Sequence, residues 1–187
     1  GETRYITDLY IPGMVYAKVF RSSQAHARIK RIDVSEAEHM PGVVAVVTGA
    51  DAPYSYGRMV EDEPFLAREV VRYIGEPVAA VAALDEATAE AALERIHVEY
   101  EPLPHVFDVE EALSPKAPLI HPELGSYRRG PIPVPVPGTN ICSSFKIRRG
   151  DVEAGFAKSD FVFEHRFTTP PIQHCYIETC AAIAHFD

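Results

Sequence analysis

Apolar positions along this chain come in short bursts whose period changes from one burst to the next. Met14-Val15-Tyr16-Ala17-Lys18-Val19-Phe20, introduced by Pro12-Gly13, reads as a buried strand entered from a turn. After Arg28 to Asp33, the segment Ser35 to His39 reads as a helical turn capped by Ser35 and stopped by Pro41-Gly42. Val43-Val44-Ala45-Val46-Val47 is rich in β-branched residues and too short for a stable helix, which predicts a strand buried on both faces. Thr48-Gly49-Ala50-Asp51 then turns the chain. The clearest unit runs from Pro77 to Tyr100. Pro77–Ala83 forms a strand, Asp85 a helix cap, Glu86 to Arg95 an alanine-rich helix, and Ile96 to Tyr100 a second strand, together a βαβ crossover. The helix is expected to bury Ala87, Ala91 and Ala92. The second strand is expected to bury Ile96, Val98 and Tyr100 and to expose His97 and Glu99.

From Pro115 the pattern breaks up. Pro118, Pro122, Pro131, Pro133, Pro135 and Pro137 interrupt it, and Pro alternates with Ile or Val from Pro131 to Pro137, so 116–139 reads as an extended linker laid over the surface. Regular structure is expected again over Asn140 to Arg148, in a helix from Val152 to Lys158 capped by Asp151, and in strands over Phe161–Phe167 and Ala181–Asp187. No turn or cap follows the last of these, which predicts a sequence that stops in mid-element. No internal repeat is visible. The expected fold is α+β, with mixed sheets and a βαβ unit in a first domain over 1–115, the linker over 116–139, and an incomplete second domain over 140–187.

Composition narrows the function classes. With 47% hydrophobic and 24% charged residues the chain can build a core, so disorder over its length is excluded. A net charge of −9 argues against nucleic acid as a partner. Lys18, Arg21, Arg28, Lys30 and Arg31 therefore read as a charged, solvated strand edge rather than an anion patch. No apolar run is long enough to span a bilayer, and Gly1 to Tyr5 lacks the layout of a signal peptide. Cys142, Cys175 and Cys180 are an odd number without a C-x-x-C pair, a poor framework for disulfides or zinc, which predicts reduced thiols and a cytoplasmic location.

The remaining motifs carry little chemistry. His174-x-x-x-Glu178 offers a base and a carboxylate on one face, but a lone pair falls short of zinc's needs, and packing is the expected role. Gly49-Ala50-Asp51 and Gly75-Glu76-Pro77 open no phosphate-binding motif and read as turns. Cys142 reads as an ordinary buried thiol, and the Pro-x repeat as a linker rather than an SH3-type ligand. No catalytic, cofactor-binding or metal-ligating residue is expected.

The motif order nonetheless resembles a known family. Arg4-Tyr5…Asp8, Pro12 to Val19, Arg21-Ser22…Ala25-His26-Ala27-Arg28-Ile29, Pro41 to Asp51, Tyr73-Ile74-Gly75-Glu76-Pro77-Val78-Ala79-Ala80-Val81 and Val98 to Pro104 are similar to the α/β hammerhead domain of molybdenum hydroxylase large subunits. Arg149-Gly150-Asp151-Val152-Glu153 and Gln173 to Cys180 resemble the start of that family's molybdopterin-binding domain. Ser23-Gln24 departs from a common Pro-His, and Glu178-Thr179-Cys180 from the Glu-Pro of many aldehyde oxidoreductases. Cys180 leans toward the carbon monoxide dehydrogenase branch. The resemblance implies a xanthine, aldehyde or CO dehydrogenase-type oxidoreductase with molybdenum on molybdopterin in the full subunit, and with 2Fe-2S clusters and FAD on partner subunits or domains. It further implies a dimeric holoenzyme, with the pterin loops and catalytic Glu downstream of Asp187. The fragment itself is then inactive and architectural, shaping substrate access and docking to the rest of the large subunit. The rival reading is a free-standing α/β interaction module.

Overall fold

The computed structural model describes residues 2–58, 60–131 and 134–186; the readings placed on Gly1, Ile132, Pro133 and Asp187 lie outside these. Contacts divide the chain into two units: Met14–Phe145, and the residues up to Gly13 together with those from Lys146 onward.

The larger unit is α+β. β1 (Tyr16–Arg21) and β3 (Val43–Thr48) flank β7 (Pro77–Ala83) in one sheet. A second sheet has the order β6 (Val70–Val71), β2 (Ala27–Asp33), β8 (His97–Pro102). β4 (Ser55–Tyr56) and β5 (Glu63–Pro64) form a small ribbon. Every paired strand runs antiparallel to its neighbour. The expected βαβ crossover is thereby corrected. Strand, helix and strand occur in the expected order, but β7 and β8 belong to different sheets, and α2 (Glu86–Leu93), which links them, packs on the sheet of β7.

β7 is central, covered on the face of Ala79 and Val81, and on the other face covered at Val78 while Ala80 and Ala82 stay half-buried. Ala79 and Val81 pack against Ala37, Ala92 and Ile96, while Val78 packs against Ala27, Ala67 and Val71. Phe20, Ile32 and Val98 touch both clusters and join the two sheets. Burial of such side chains supplies the main driving force for folding. β3 differs from expectation. It is an edge strand with Val44 and Val47 exposed, not a strand covered on both faces. Register places Ala17, Ala82 and Ala45 in one cross-strand row and Val19, Ala80 and Val47 in another, so both rows carry only apolar side chains.

Helix chemistry is local. The Asp85 carboxylate accepts from the Thr88 amide at 2.8 Å, as expected for a cap. Ala92 is buried as expected, but its buried companion is Ala89, and Ala87 and Ala91 face solvent; the helix also ends two residues earlier than expected. Asp85→Ala should cost about 1 kcal/mol in a urea melt, through loss of that cap. Ser35 does not cap α1 (Ser35–Glu38). Its amide and hydroxyl both donate to Asp33 Oδ1, at 3.2 and 2.6 Å, so Asp33 organises the turn and its carboxyl is held below its ordinary pKa mainly by those bonds.

After α3 (Val109–Ala112) the proline-rich stretch returns to the larger unit. The Glu61 amide donates to the Arg128 carbonyl at 2.8 Å, Leu124 is buried, and the amides of Val136 and Ser144 donate to the carbonyls of Ile141 and Val134.

In the smaller unit α4 (Val152–Ala157) is capped by Asp151, whose carboxylate accepts from the Ala154 amide at 2.9 Å. The strands expected over Phe161–Phe167 and within Ala181–Phe186, and the regular structure over Asn140–Arg148, do not form. Phe161, Phe163 and Phe167 stand exposed, so among the described residues their alternation finds no strand to pair with.

Candidate functional site

The larger unit's buried polar residues gather under the turn between β6 and β7. Gly75, at φ +94°, lets the chain reverse there. The Gly75 amide donates to the Ser22 carbonyl at 2.7 Å, and the Ser22 amide donates to the Glu76 carbonyl at 2.9 Å. Glu76 is only 3% exposed, and its carboxylate accepts from the Arg72 amide. Burial pushes the Glu76 carboxyl above its ordinary range, against the weaker opposing pull of that amide and the Arg72 charge.

Arg72 reaches the other way. Its Nε donates to the Ile120 carbonyl at 3.1 Å and its Nη2 lies 3.8 Å from Glu123. His121 Nδ1 is 3.0 Å from the Tyr127 hydroxyl, and that hydroxyl donates to Glu123 at 3.3 Å. Burial, reinforced by Arg72, holds His121 below its ordinary pKa of 6.5. His26 is buried with Nδ1 at 2.6 Å from the Pro104 carbonyl, so that nitrogen carries the proton. Tyr100, nearby, has a buried hydroxyl with no aligned hydrogen-bond partner among the described residues.

Two cavities meet at this cluster. The outer one, of about 300 Å³, has apolar walls that include Val106, Phe107, Val109, Ile120 and Leu124. The inner, of about 50 Å³, is bordered by Glu76, Arg72 and Tyr73. Asp62 and His121 line both. Asn140 fixes the outer wall: its Nδ2 donates to the carbonyls of Ala112 and Pro118, and its Oδ1 accepts from the Ile120 amide, at 2.9 to 3.1 Å. The arrangement can bind a small group and hold protons at Glu76 and His121. Sequence reasoning missed it because its members are spread from residue 22 to residue 142; the signal within reach was Glu76, a charged residue between two apolar runs.

Residues weighed from sequence fall elsewhere. Most of the basic stretch is paired: Lys18 with Glu86 and, at 3.0 Å, with Glu90; Lys30 at 2.7 Å and Arg28 at 3.5 Å with the same Glu101; and Arg31 with Asp33, while Arg21 donates to the Gly75 carbonyl. Arg28, Lys30 and Arg31 lie on the central strand β2, which corrects the edge reading for them, whereas Lys18 and Arg21 lie on β1 at a sheet edge. Cys142 is exposed on the outer cavity's wall rather than buried. His174 stacks on Tyr176, while Glu178 accepts from the Ile6 amide at 3.3 Å, so the structure does not join the two.

Comparison with known proteins fixes the family. The profile for "Aldehyde oxidase and xanthine dehydrogenase, a/b hammerhead domain" matches residues 1–104, more than half of the chain. The chain belongs to that hammerhead family. The profile of the molybdopterin cofactor-binding domain matches residues 135–187. Among relatives of this hammerhead chain, a probable xanthine dehydrogenase subunit from Bacillus subtilis is 42% identical over 98% of the chain and 23% of its own length. The carbon monoxide dehydrogenase large chain of Afipia carboxidovorans is 36% identical over 100% and 24%. A crystal structure of Cu,Mo-CO dehydrogenase superposes with a TM-score of 0.65 at 34% identity, covering 84% of this chain and 20% of that one. The hammerhead chain thus spans about a quarter of the length of these two curated relatives.

The stretch matching the molybdopterin domain does not fit a pterin by itself. From Asp151 to Phe186 every described residue is exposed except the half-buried Ala154, so no cradle is formed. No group of three His, Cys, Asp or Glu suited to a metal occurs among the described residues. No helix among the described residues is long and apolar enough to cross a membrane.

Proposed function

We propose that this chain is the architectural part of a molybdenum hydroxylase large subunit, contributing the hammerhead domain and a portion of the molybdopterin-binding domain. One observation carries the reading: two profiles from the same kind of subunit match consecutive stretches of a single chain. The intact subunit would hold molybdopterin and work with 2Fe-2S and FAD partners in a cytoplasmic, dimeric oxidoreductase. Its substrate would be a xanthine-like heterocycle, an aldehyde or carbon monoxide, chemistry named for the relatives. The hammerhead would end before the proline-rich linker, near residue 115, with the second domain resuming near 140.

Catalysis would lie outside this chain. Purified alone, it is expected to show no dye-linked oxidation of hypoxanthine, aldehydes or carbon monoxide, and no saturable binding when molybdopterin is titrated and followed by pterin fluorescence. Tight one-to-one pterin binding would overturn the architectural reading.

A further inference from the structure

Among the described residues, the outer cavity holds one carboxylate, Asp62, that makes no hydrogen bond or ion pair. Its acidic neighbours are all engaged: Glu61 pairs with Arg128, Glu63 takes the Tyr56 hydroxyl, Glu76 takes the Arg72 amide, and Asp108 caps α3. Asp62 is half-buried and lines both cavities, yet among the described residues it has no hydrogen bond or ion pair. Its carboxylate, beside His121 and the Tyr127 hydroxyl, therefore has acceptor capacity left for an arriving cation.

Three features say what kind of cation fits. The outer cavity combines Val106, Phe107, Val109, Ile120 and Leu124 with a polar side of Asp62, Asp108, His121 and Asn140 and encloses about 300 Å³, room for a ring-sized body but not a large ligand. The positive charges at hand do not compete: Arg72 is held by the Ile120 carbonyl and Glu123, and His121, kept below 6.5 by burial, is neutral at pH 7. The chain's net charge of −9 favours approach of a cation.

We propose that this cleft binds a small organic cation, a primary ammonium or amidinium on an apolar body. The charge sits on Asp62 and the body lies against Val106, Ile120 and Leu124.

Benzamidinium is the probe, added to the full 187-residue chain and followed by amide NMR. Saturable shifts are expected at Val109, Ala112, His121 and Asn140. Neutral benzamide, of nearly the same shape, should bind about tenfold more weakly or worse, and Asp62→Asn should lose a similar factor, as loss of a charged hydrogen bond implies. Since the Asp62 side chain makes no hydrogen bond or ion pair among the described residues, that variant should keep its spectrum away from the cleft. In a Cys175→Ser/Cys180→Ser background, saturating benzamidinium should slow alkylation of Cys142 on the cleft wall. Equal affinity for benzamide, equal affinity in Asp62→Asn, or shifts remote from the cleft would each overturn the proposal.

Discussion

Glu76→Ala should destabilise the larger unit by about 2–3 kcal/mol in a urea melt, because it leaves the buried Arg72 amide without an acceptor and opens a hole beneath the β6–β7 turn. Glu76→Gln keeps an acceptor and the shape, and should cost far less. What it removes is a titration. Burial raises the folded-state pKa of Glu76 above its ordinary value of 4.5, so the protonated form is the one the fold prefers. Its contribution is fully present below pH 4.5 and is lost as pH rises through the folded-state pKa. The stability of the natural chain minus that of the Glu76→Gln variant should therefore be largest near pH 4 and fall toward neutrality. A difference that is flat with pH, or that rises, would show that Glu76 is not held in a desolvated site. His121 tilts the other way: with its pKa lowered, its contribution is present above 6.5 and lost as pH falls, so the two curves must be separated by the variant.

The second large effect is expected at Gly49. A Cβ built there would lie 2.7 Å from the Ala67 carbonyl oxygen and 2.8 Å from that of Leu66, both backbone atoms that cannot rotate aside. Gly49→Ala should cost about 3 kcal/mol, at the upper end of overpacking penalties. Its consequence should reach further than the turn, since Ala67 also donates its amide to the Pro77 carbonyl at the start of β7. Amide exchange of Ala67 and Val78 should accelerate in that variant; unchanged exchange with unchanged stability would mean the loop at 66–67 yields freely.

Sequence reading succeeds where chemistry is local. Asp85 and Asp151 announce their helices, because a carboxylate two or three residues before an amide needs nothing else from the fold. The alternation of Ile96, Val98 and Tyr100 against His97 and Glu99 predicts the correct face of β8, since a strand's period alone sets it. Reading fails where a remote partner decides. Val43 to Val47 has the composition of a strand covered on both sides, but sheet order leaves it at an edge. β7 and β8 look like members of one sheet because a helix joins them, yet connection length does not say whether the chain crosses between layers. The alanines of α2 are all equally apt for burial, and only docking selects Ala89 and Ala92. The cleft is invisible for the same reason: Asp62, Glu76 and His121 are ordinary residues until the chain brings them together.

The all-apolar rows Ala17–Ala82–Ala45 and Val19–Ala80–Val47 also govern how this protein behaves as a solute. At low ionic strength the charge of −9 on every copy keeps these faces apart. Sulfate or phosphate at high concentration weakens that repulsion and strengthens apolar association at once. Added salt therefore acts on the solubility of the folded chain from both directions, and precipitation can set in while every strand is still in place.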